Sequence, residues 1–377
     1  MNWRETWRDS CSWRPMIFSR SDRHMPRQPI ERRRRQLLAQ AVRIFLAVHV
    51  LPLASGGPSL AETSQTIKIG TLAPEGSSWV TALRAIDRDL RNQTDGELKL
   101  KIYPGGVQGD EDVMIRKLRI GQLHAGGFGG KGVSDIFADA LALETPFLFN
   151  GYDEIDYVLE QMAEFYSEGY ARNGYVLLGW SDVGFVHLLS KMPIAGVDDL
   201  RGPKVWRLQR EPITEVLFEK MGVTSVPLSI PDVLMGLQTN LVEVVYASPA
   251  AAIVLQWFTR VQYITDLPIN YAIGALLLDR RVFDQMTPAY QQLLLDVSQR
   301  HIRVQTESSR KDNEESLAVM AQQGLVRVEP PAKEIEAFRD LVDDSMSELV
   351  GNAFSRESFE LIQKHLADYR SARAESP

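Results

Sequence analysis

From Thr66 onward the chain switches repeatedly between two hydrophobic periods. TIKIG alternates at Ile67 and Ile69, and SSWVTALRAIDRDLRNQTDG then sets Trp79, Leu83, Ile86 and Leu90 on one helical face, with a serine at its start and Gly96 past its end. ELKLKIY returns to strict alternation at Leu98, Leu100 and Ile102, as a half-buried strand does. The turn PGGVQGDE leads to a helix predicted over 111–120. This β-α-β order predicts an α/β fold.

A helix predicted over 152–172 is ended by Gly174, and two strand candidates follow, YVLLGW and FVHLLS. After Ser190 the pattern restarts on a smaller scale: PKVWRLQ, a helix to Gly222, VTSVPL, a helix over 231–239, and VEVVYAS. This predicts a second domain, entered near Val186 and left near Tyr271. From Thr287, with Pro288 in the first helical position, no proline or glycine interrupts residues 289–323. Such a helix reaches about 50 Å at 1.5 Å per residue, longer than one domain of this size is wide, so it is expected to cross both. The alternative is a break near Ser308 and Ser309. The expected division is therefore 62–185 and 271–286 in the first domain, 186–270 in the second, 287–323 in the connecting helix, and 324–377 in C-terminal helices centred on 335–349 and 359–369.

Residues 1–61 read as an export signal. An arginine cluster (Arg32 to Arg35) precedes an apolar stretch over 44–53 and a small-x-small ending at Ser59, Leu60 and Ala61, with cleavage expected after Ala61. The apolar stretch is too short for a spanning helix of about 20 residues, and no later stretch supplies one. The mature protein is expected to be soluble and exported, with no stable membrane insertion. Met25 precedes a more usual leader length, which makes residues 1–24 a candidate start-site error. The run Arg34-Arg35-Gln36-Leu37-Leu38 resembles a twin-arginine signal, but four consecutive arginines make that match unspecific, and a general secretory leader is the main reading.

With 44% hydrophobic and 24% charged residues over 377 positions, the composition is that of a globular protein able to bury a core without staples. The one cysteine, Cys11, lies in the leader, so the mature chain has neither a disulfide nor a thiol ligand. The leader holds eleven arginines and no lysine against four acids, +7; with −7 for the whole chain, that leaves −14 for the remainder. So acidic a protein is a poor partner for nucleic acid or anionic membranes.

Catalytic constellations fail on inspection. GGFGGKG over 126–132 is one residue short of a phosphate loop and has Gly132 where a hydroxyl must hold magnesium, so it reads as a tight strand-to-loop turn. GGVQGD lacks dinucleotide-fingerprint spacing. His124, His187, His301 and His365 are scattered without a second ligand at metal spacing, and no serine sits in a nucleophile elbow. The carboxylate pairs Asp110-Glu111 and Asp343-Asp344 fall at helix starts or on polar faces and read as solvated surface. No metal and no cofactor are expected.

Six ordered blocks carry a family likeness: IKIGTLAPEGSSW, KIYPGGVQGDED, GQLHAGGFGG, TPFLF over 145–149, VPLSIPDVLMGLQTNLVEVVYASP and LQWFTRVQYITDLP. In order and spacing they resemble the DctP-like solute receptors of tripartite ATP-independent periplasmic (TRAP) transporters, over nearly all of the expected mature chain. The resemblance implies a periplasmic-binding-protein-like fold: two α/β domains around a cleft, tied by hinge strands and one long helix. It also implies a small solute, usually a carboxylate, held by domain closure.

In that family the strand after Asp-Leu-x-Gly-x-Lys usually carries an arginine that pairs bidentately with the solute carboxylate. DDLRGPKVWRLQ places Trp206, not Arg207, at that position, and strand alternation then turns Arg207 away. A one-residue bulge would instead return Arg207 to the cleft. Ala247 stands where relatives have an asparagine. Trp79, Trp180, Tyr246, Trp257 and Tyr271 fall in blocks that border the cleft in the family, so the resemblance implies an aromatic-lined pocket for a ligand of apolar or ring character, acid or not. A carboxylate on it would be met by Arg210, which shares the strand parity of Trp206, by Gln209, or by backbone N–H groups around Gly129 and Gly130. The competing reading makes these aromatics domain core.

The main expectation is a periplasmic solute receptor, not an enzyme, that delivers an organic acid or aromatic compound to integral membrane TRAP permease subunits. The alternative is a sensory receptor for a membrane signalling partner.

Overall fold

The computed structural model describes residues 65–374, and the leader expected over 1–61 lies outside them. The described part is one compact unit containing a ten-stranded mixed sheet with helices packed around it. In chain order the first elements are β1 (Gln65–Thr71), α1 (Ser78–Gln93), β2 (Leu98–Tyr103), α2 (Glu111–Arg119), β3 (Ala125–Gly129), α3 (Gly130–Ile136), α4 (Tyr152–Gln161), α5 (Ala163–Arg172) and β4 (Tyr175–Ser190). Next come β5 (Val205–Leu208), α6 (Pro212–Met221), β6 (Ser225–Leu228), α7 (Ile230–Gln238), β7 (Val244–Ala247), α8 (Pro249–Val254), β8 (Tyr263–Thr265) and β9 (Asn270–Asp279). The chain ends with α9 (Arg280–Asp284), α10 (Pro288–Gln322), β10 (Val326–Val328), α11 (Ala332–Leu349) and α12 (Arg356–Ala374).

The strand order is β2-β1-β3-β9-β4-β7-β5-β6, with β8 paired to β4 and β10 to β8. Parallel pairing of β1 with β2 and β3 follows from the helical crossovers that the alternating periods predict. Strand β4 joins the halves of the sheet. Its residues from Tyr175 to Val186 pair with β9, and those from His187 to Ser190 pair with β7 and β8. Both YVLLGW and FVHLLS therefore belong to one strand, which stays continuous through two irregularities, between Leu177 and Gly179 and between Asp182 and Gly184. Gly184 takes φ +115° at the second, a conformation open to glycine.

Helix α10 runs unbroken through Ser308 and Ser309. It packs on α1, along β4, and on α8, so it touches both halves. Its N-terminal part buries Leu294, Val297 and Ile302, but farther along the buried face turns polar: Gln305, Ser309, Asn313 and Ser316. Gln305, Ser309 and Asn313 serve the β4 bulge. Ser309 Oγ donates to the Asp182 carbonyl at 2.9 Å, and Asn313 Nδ2 to the Val183 carbonyl at 3.0 Å. A bulge frees backbone acceptors that the ladder cannot satisfy, and buried acceptors need partners. That requirement is why a long helix of low amphipathicity is stable here.

Three expectations are corrected. The helix over 152–172 is two helices, broken at Met162, whose φ −100° and ψ 12° leave the helical region. The segment 126–132 is no loop, because β3 passes directly into α3 at Gly130. On α1 the buried face is Val80, Leu83, Ile86 and Leu90, and Trp79 turns away from it. The C-terminal helices divide between the halves, α11 packing on α6 and α12 on α4.

Candidate functional site

A cavity of about 590 Å³ is lined from both halves of the sheet, a size suited to a small organic ligand. The first half contributes the β1–α1 turn with Trp79, the glycines Gly127, Gly129 and Gly130, and the segment around Glu144, Pro146 and Phe147. The second contributes Trp206 and Leu208 from β5, the start of α6, and Tyr246 and Ala247 with the chain through α8 to Trp257. Helix α10 adds Ser309, Asp312, Glu315 and Ser316.

One wall is aromatic. The Trp206 indole stacks on Tyr246 with ring centroids 4.6 Å apart at 29°, and meets Trp257 edge-on at 5.1 Å. Its Nε1–H donates to the Leu228 carbonyl at 3.0 Å, while the Leu208 N–H donates to the Tyr246 hydroxyl at 3.2 Å. Both polar tips are thus engaged within the wall, whose Trp206 and Trp257 rings are largely buried. From the opposite half, Trp79 Nε1–H donates to the Asp182 carbonyl at 3.2 Å. The Trp79 ring fills the place of a side chain at Gly274, where a Cβ would lie 2.3 Å from it.

The other wall is acidic. Glu111 is buried at the start of α2, and its two oxygens accept from the backbone N–H groups of Gly129 at 2.5 Å and Gly132 at 2.7 Å. Burial pushes it up to about 7, against the pull of those N–H groups. Glu211 caps α6, accepting from Ile213 N–H at 3.1 Å and Thr214 N–H at 2.9 Å, and burial raises it as well. Glu144 accepts one hydrogen bond, from Ile273 N–H at 2.9 Å, and its other oxygen accepts none from a described residue. Glu144 is half-buried and lines the cavity. Burial, with the charges of Glu211 and Glu111 adding to it, pushes Glu144 up to about 8 against the Ile273 bond.

Six of the residues expected at the site line this cavity: Trp79, Gly129, Gly130, Trp206, Tyr246 and Trp257. The two glycines act differently from expectation. The Gly129 N–H is taken by Glu111, and a Cβ on Gly130 would lie 2.0 Å from the Glu144 carboxylate, so these positions admit acids rather than greet an anion.

Five expected residues lie elsewhere. Arg207 is on the other face of β5 and pairs with Glu215 of α6, as alternation without a bulge requires. Strand β5 ends at Leu208, so the parity assigned to Arg210 does not apply. Arg210 takes φ +53° in the following turn and pairs with Asp112, and Gln209 is exposed beside it. Trp180 packs edge-on against Tyr166 and Tyr170. Tyr271 is buried and donates its hydroxyl to Asp182.

Sequence reasoning missed the acids. Asp110-Glu111 reads as a solvated helix start, yet only Asp110 serves as a cap, accepting from Val113 N–H at 2.9 Å, and Glu111 turns inward to the β3–α3 junction. Asp343 and Asp344 are exposed, as that reading has them. Glu211 directly precedes Pro212, a legible cap, and Glu144 directly precedes the TPFLF block; neither signal indicates an inward carboxylate.

The model of the bacterial extracellular solute-binding protein family 7, DctP, matches residues 69–352, well over half of the chain. The chain belongs to this family. DctP proteins are the solute receptors that the six sequence blocks resemble, and the family is a solute-binding one rather than a family of enzymes. Among relatives of this DctP chain, the 2,3-diketo-L-gulonate-binding periplasmic protein YiaO of Escherichia coli is 24% identical over 297 residues, 77% of this chain and 85% of the relative. A TRAP periplasmic solute-binding protein of Xanthobacter autotrophicus, solved with β-D-galacturonate, aligns with a TM-score of 0.75 at 18% identity, over 80% of this chain and 99% of that one. The sugar acid binding protein DctPAm of Advenella mimigardefordensis, solved with galactonate, gives 0.76 at 18%, over 81% and 99%. These likenesses establish for the DctP chain the two-domain α/β binding-protein fold.

Proposed function

We propose that the chain is the periplasmic receptor of a TRAP transporter, holding a small organic solute of apolar or ring character by domain closure and delivering it to integral membrane permease subunits without chemical change. The observation that carries this reading is the cavity lined from both halves of the sheet, with Trp79 on one side and Trp206, Tyr246 and Trp257 on the other. In this reading 62–185 with 271–286 form one lobe and 186–270 the second. The change of β4 partners between Val186 and His187 supports a hinge there. Among the described residues no helix is long and apolar enough to cross a membrane, in keeping with a receptor that leaves the crossing to its permease.

The ligands named for the relatives and structural neighbours cited above are sugar acids, which supports an organic compound of comparable size and favours an acidic one. The lining departs from what a sugar acid needs, since Trp206 replaces the arginine clamp that the resemblance implies and Arg207 pairs outside the cavity.

A thermal-shift screen tests the proposal, because a solute that binds only the native state raises the melting temperature. Stabilisation by ring-bearing compounds at micromolar to millimolar concentration is expected. A screen in which neither ring compounds nor sugar acids stabilise the protein would sink the receptor reading.

A further inference from the structure

The cavity is nearly all acid among its charged groups. Glu111, Glu144, Glu211, Asp312 and Glu315 line it, and Lys131 is the one lysine or arginine among its described lining residues. Lys131 is already engaged, with Asp112 at 3.0 Å and with Asp135. The N–H groups at the start of α3 are no anion site either, since Glu111 occupies those of Gly129 and Gly132. A carboxylate entering here would find no unpaired cation and several like charges, and an unpaired buried charge is costly.

An ammonium group meets the opposite conditions. Glu144 offers an oxygen with no donor among the described residues, on the same cavity as the Trp206 and Tyr246 rings. Carboxylate and aromatic faces together hold cations, the first through a charge-assisted hydrogen bond and the second through the ring quadrupole. Both oxygens of Glu211 and both of Glu111 already accept from backbone N–H groups, while one oxygen of Glu144 remains available. Burial raises Glu144, and the neighbouring charges of Glu211 and Glu111 raise it further.

We propose that the solute of this cleft is an organic cation, an ammonium carried on an apolar or aromatic body, with the ammonium on Glu144 and the body against Trp206, Tyr246 and Trp257. The proposal rests on the receptor reading above and replaces the sugar acid of the relatives with the opposite charge.

Isothermal titration at pH 8.5 with three probes of one body tests it: 3-phenylpropylammonium, 3-phenylpropanol and 3-phenylpropanoate, with D-glucuronate alongside. The ammonium is expected to bind at least about tenfold tighter than the alcohol, the carboxylate most weakly, and D-glucuronate without measurable heat. Glu144→Gln, which keeps an acceptor for the Ile273 N–H, should cost the ammonium at least about tenfold and the alcohol less than about threefold. The wild-type ranking needs no variant, so the test survives a folding defect. Tighter binding of the carboxylate or of D-glucuronate overturns the proposal and leaves the receptor reading standing. Absence of binding by all four compounds overturns both.

Discussion

Replacing Glu144 by glutamine should stabilise the ligand-free protein, and by more as pH rises. Glu144 has its carboxyl raised from an ordinary 4.5 to about 8 by burial and by its acidic neighbours. The folded chain therefore holds that proton more tightly than the unfolded chain. The stability this contributes is fully present below about 4.5, is lost progressively above it, and is gone once the pH has passed about 8. At about 1.4 kcal/mol per pH unit the displacement sets an upper bound near 5 kcal/mol, and water in the cavity screens the charge to about 2–3 kcal/mol. Glutamine carries no titrating proton and accepts the same Ile273 N–H. Urea unfolding of both proteins from pH 5 to pH 9, at constant ionic strength and without solute, should give curves that nearly meet at pH 5. By pH 8.5 they should differ by about 2–3 kcal/mol in favour of the variant. Parallel curves across that range would mean instead that Glu144 titrates as an exposed carboxylate does.

Three further substitutions separate structure from recognition. Trp206→Ala should destabilise by about 3 kcal/mol, the low end for a buried aromatic, and should weaken ring-bearing ligands at least tenfold in the same titration. Arg207→Ala, on the far face of β5, should leave solute affinity within about threefold and cost under about 1 kcal/mol in urea unfolding, as loss of a peripheral ion pair does. Asn313→Leu strands the Val183 carbonyl and the Ala250 N–H that Asn313 now serves at 3.0 Å each, and should cost about 2–4 kcal/mol by urea unfolding.

Much of the fold can be read from the sequence because its signals are local. The alternation at Ile67, Ile69, Leu98 and Leu100 needs only a half-buried strand, and Thr287 before Pro288 with no interruption to Gln323 needs only a helix. Trp206 could be placed against Arg207 because side chains alternate on a strand, and that rule lost its hold once β5 ended, which is why Arg210 could not be placed. The acidic wall was illegible for a different reason. Glu111, Glu144 and Glu211 are separated by dozens of residues, and each sits beside a cap, a turn or a proline that explains an acid locally. Their convergence depends on β3 and β9 meeting the second half of the sheet. Likewise the polar face of α10 makes sense only once the β4 bulge between Asp182 and Gly184 is known to lie beneath it.

A crystal structure of the protein with 3-phenylpropylammonium would test the central claim most directly. The ring is expected against Trp206 and Tyr246, the ammonium within hydrogen-bonding distance of Glu144, and Arg207 still paired with Glu215. Electron density for the compound elsewhere on the protein, with this cavity left to water, would contradict it.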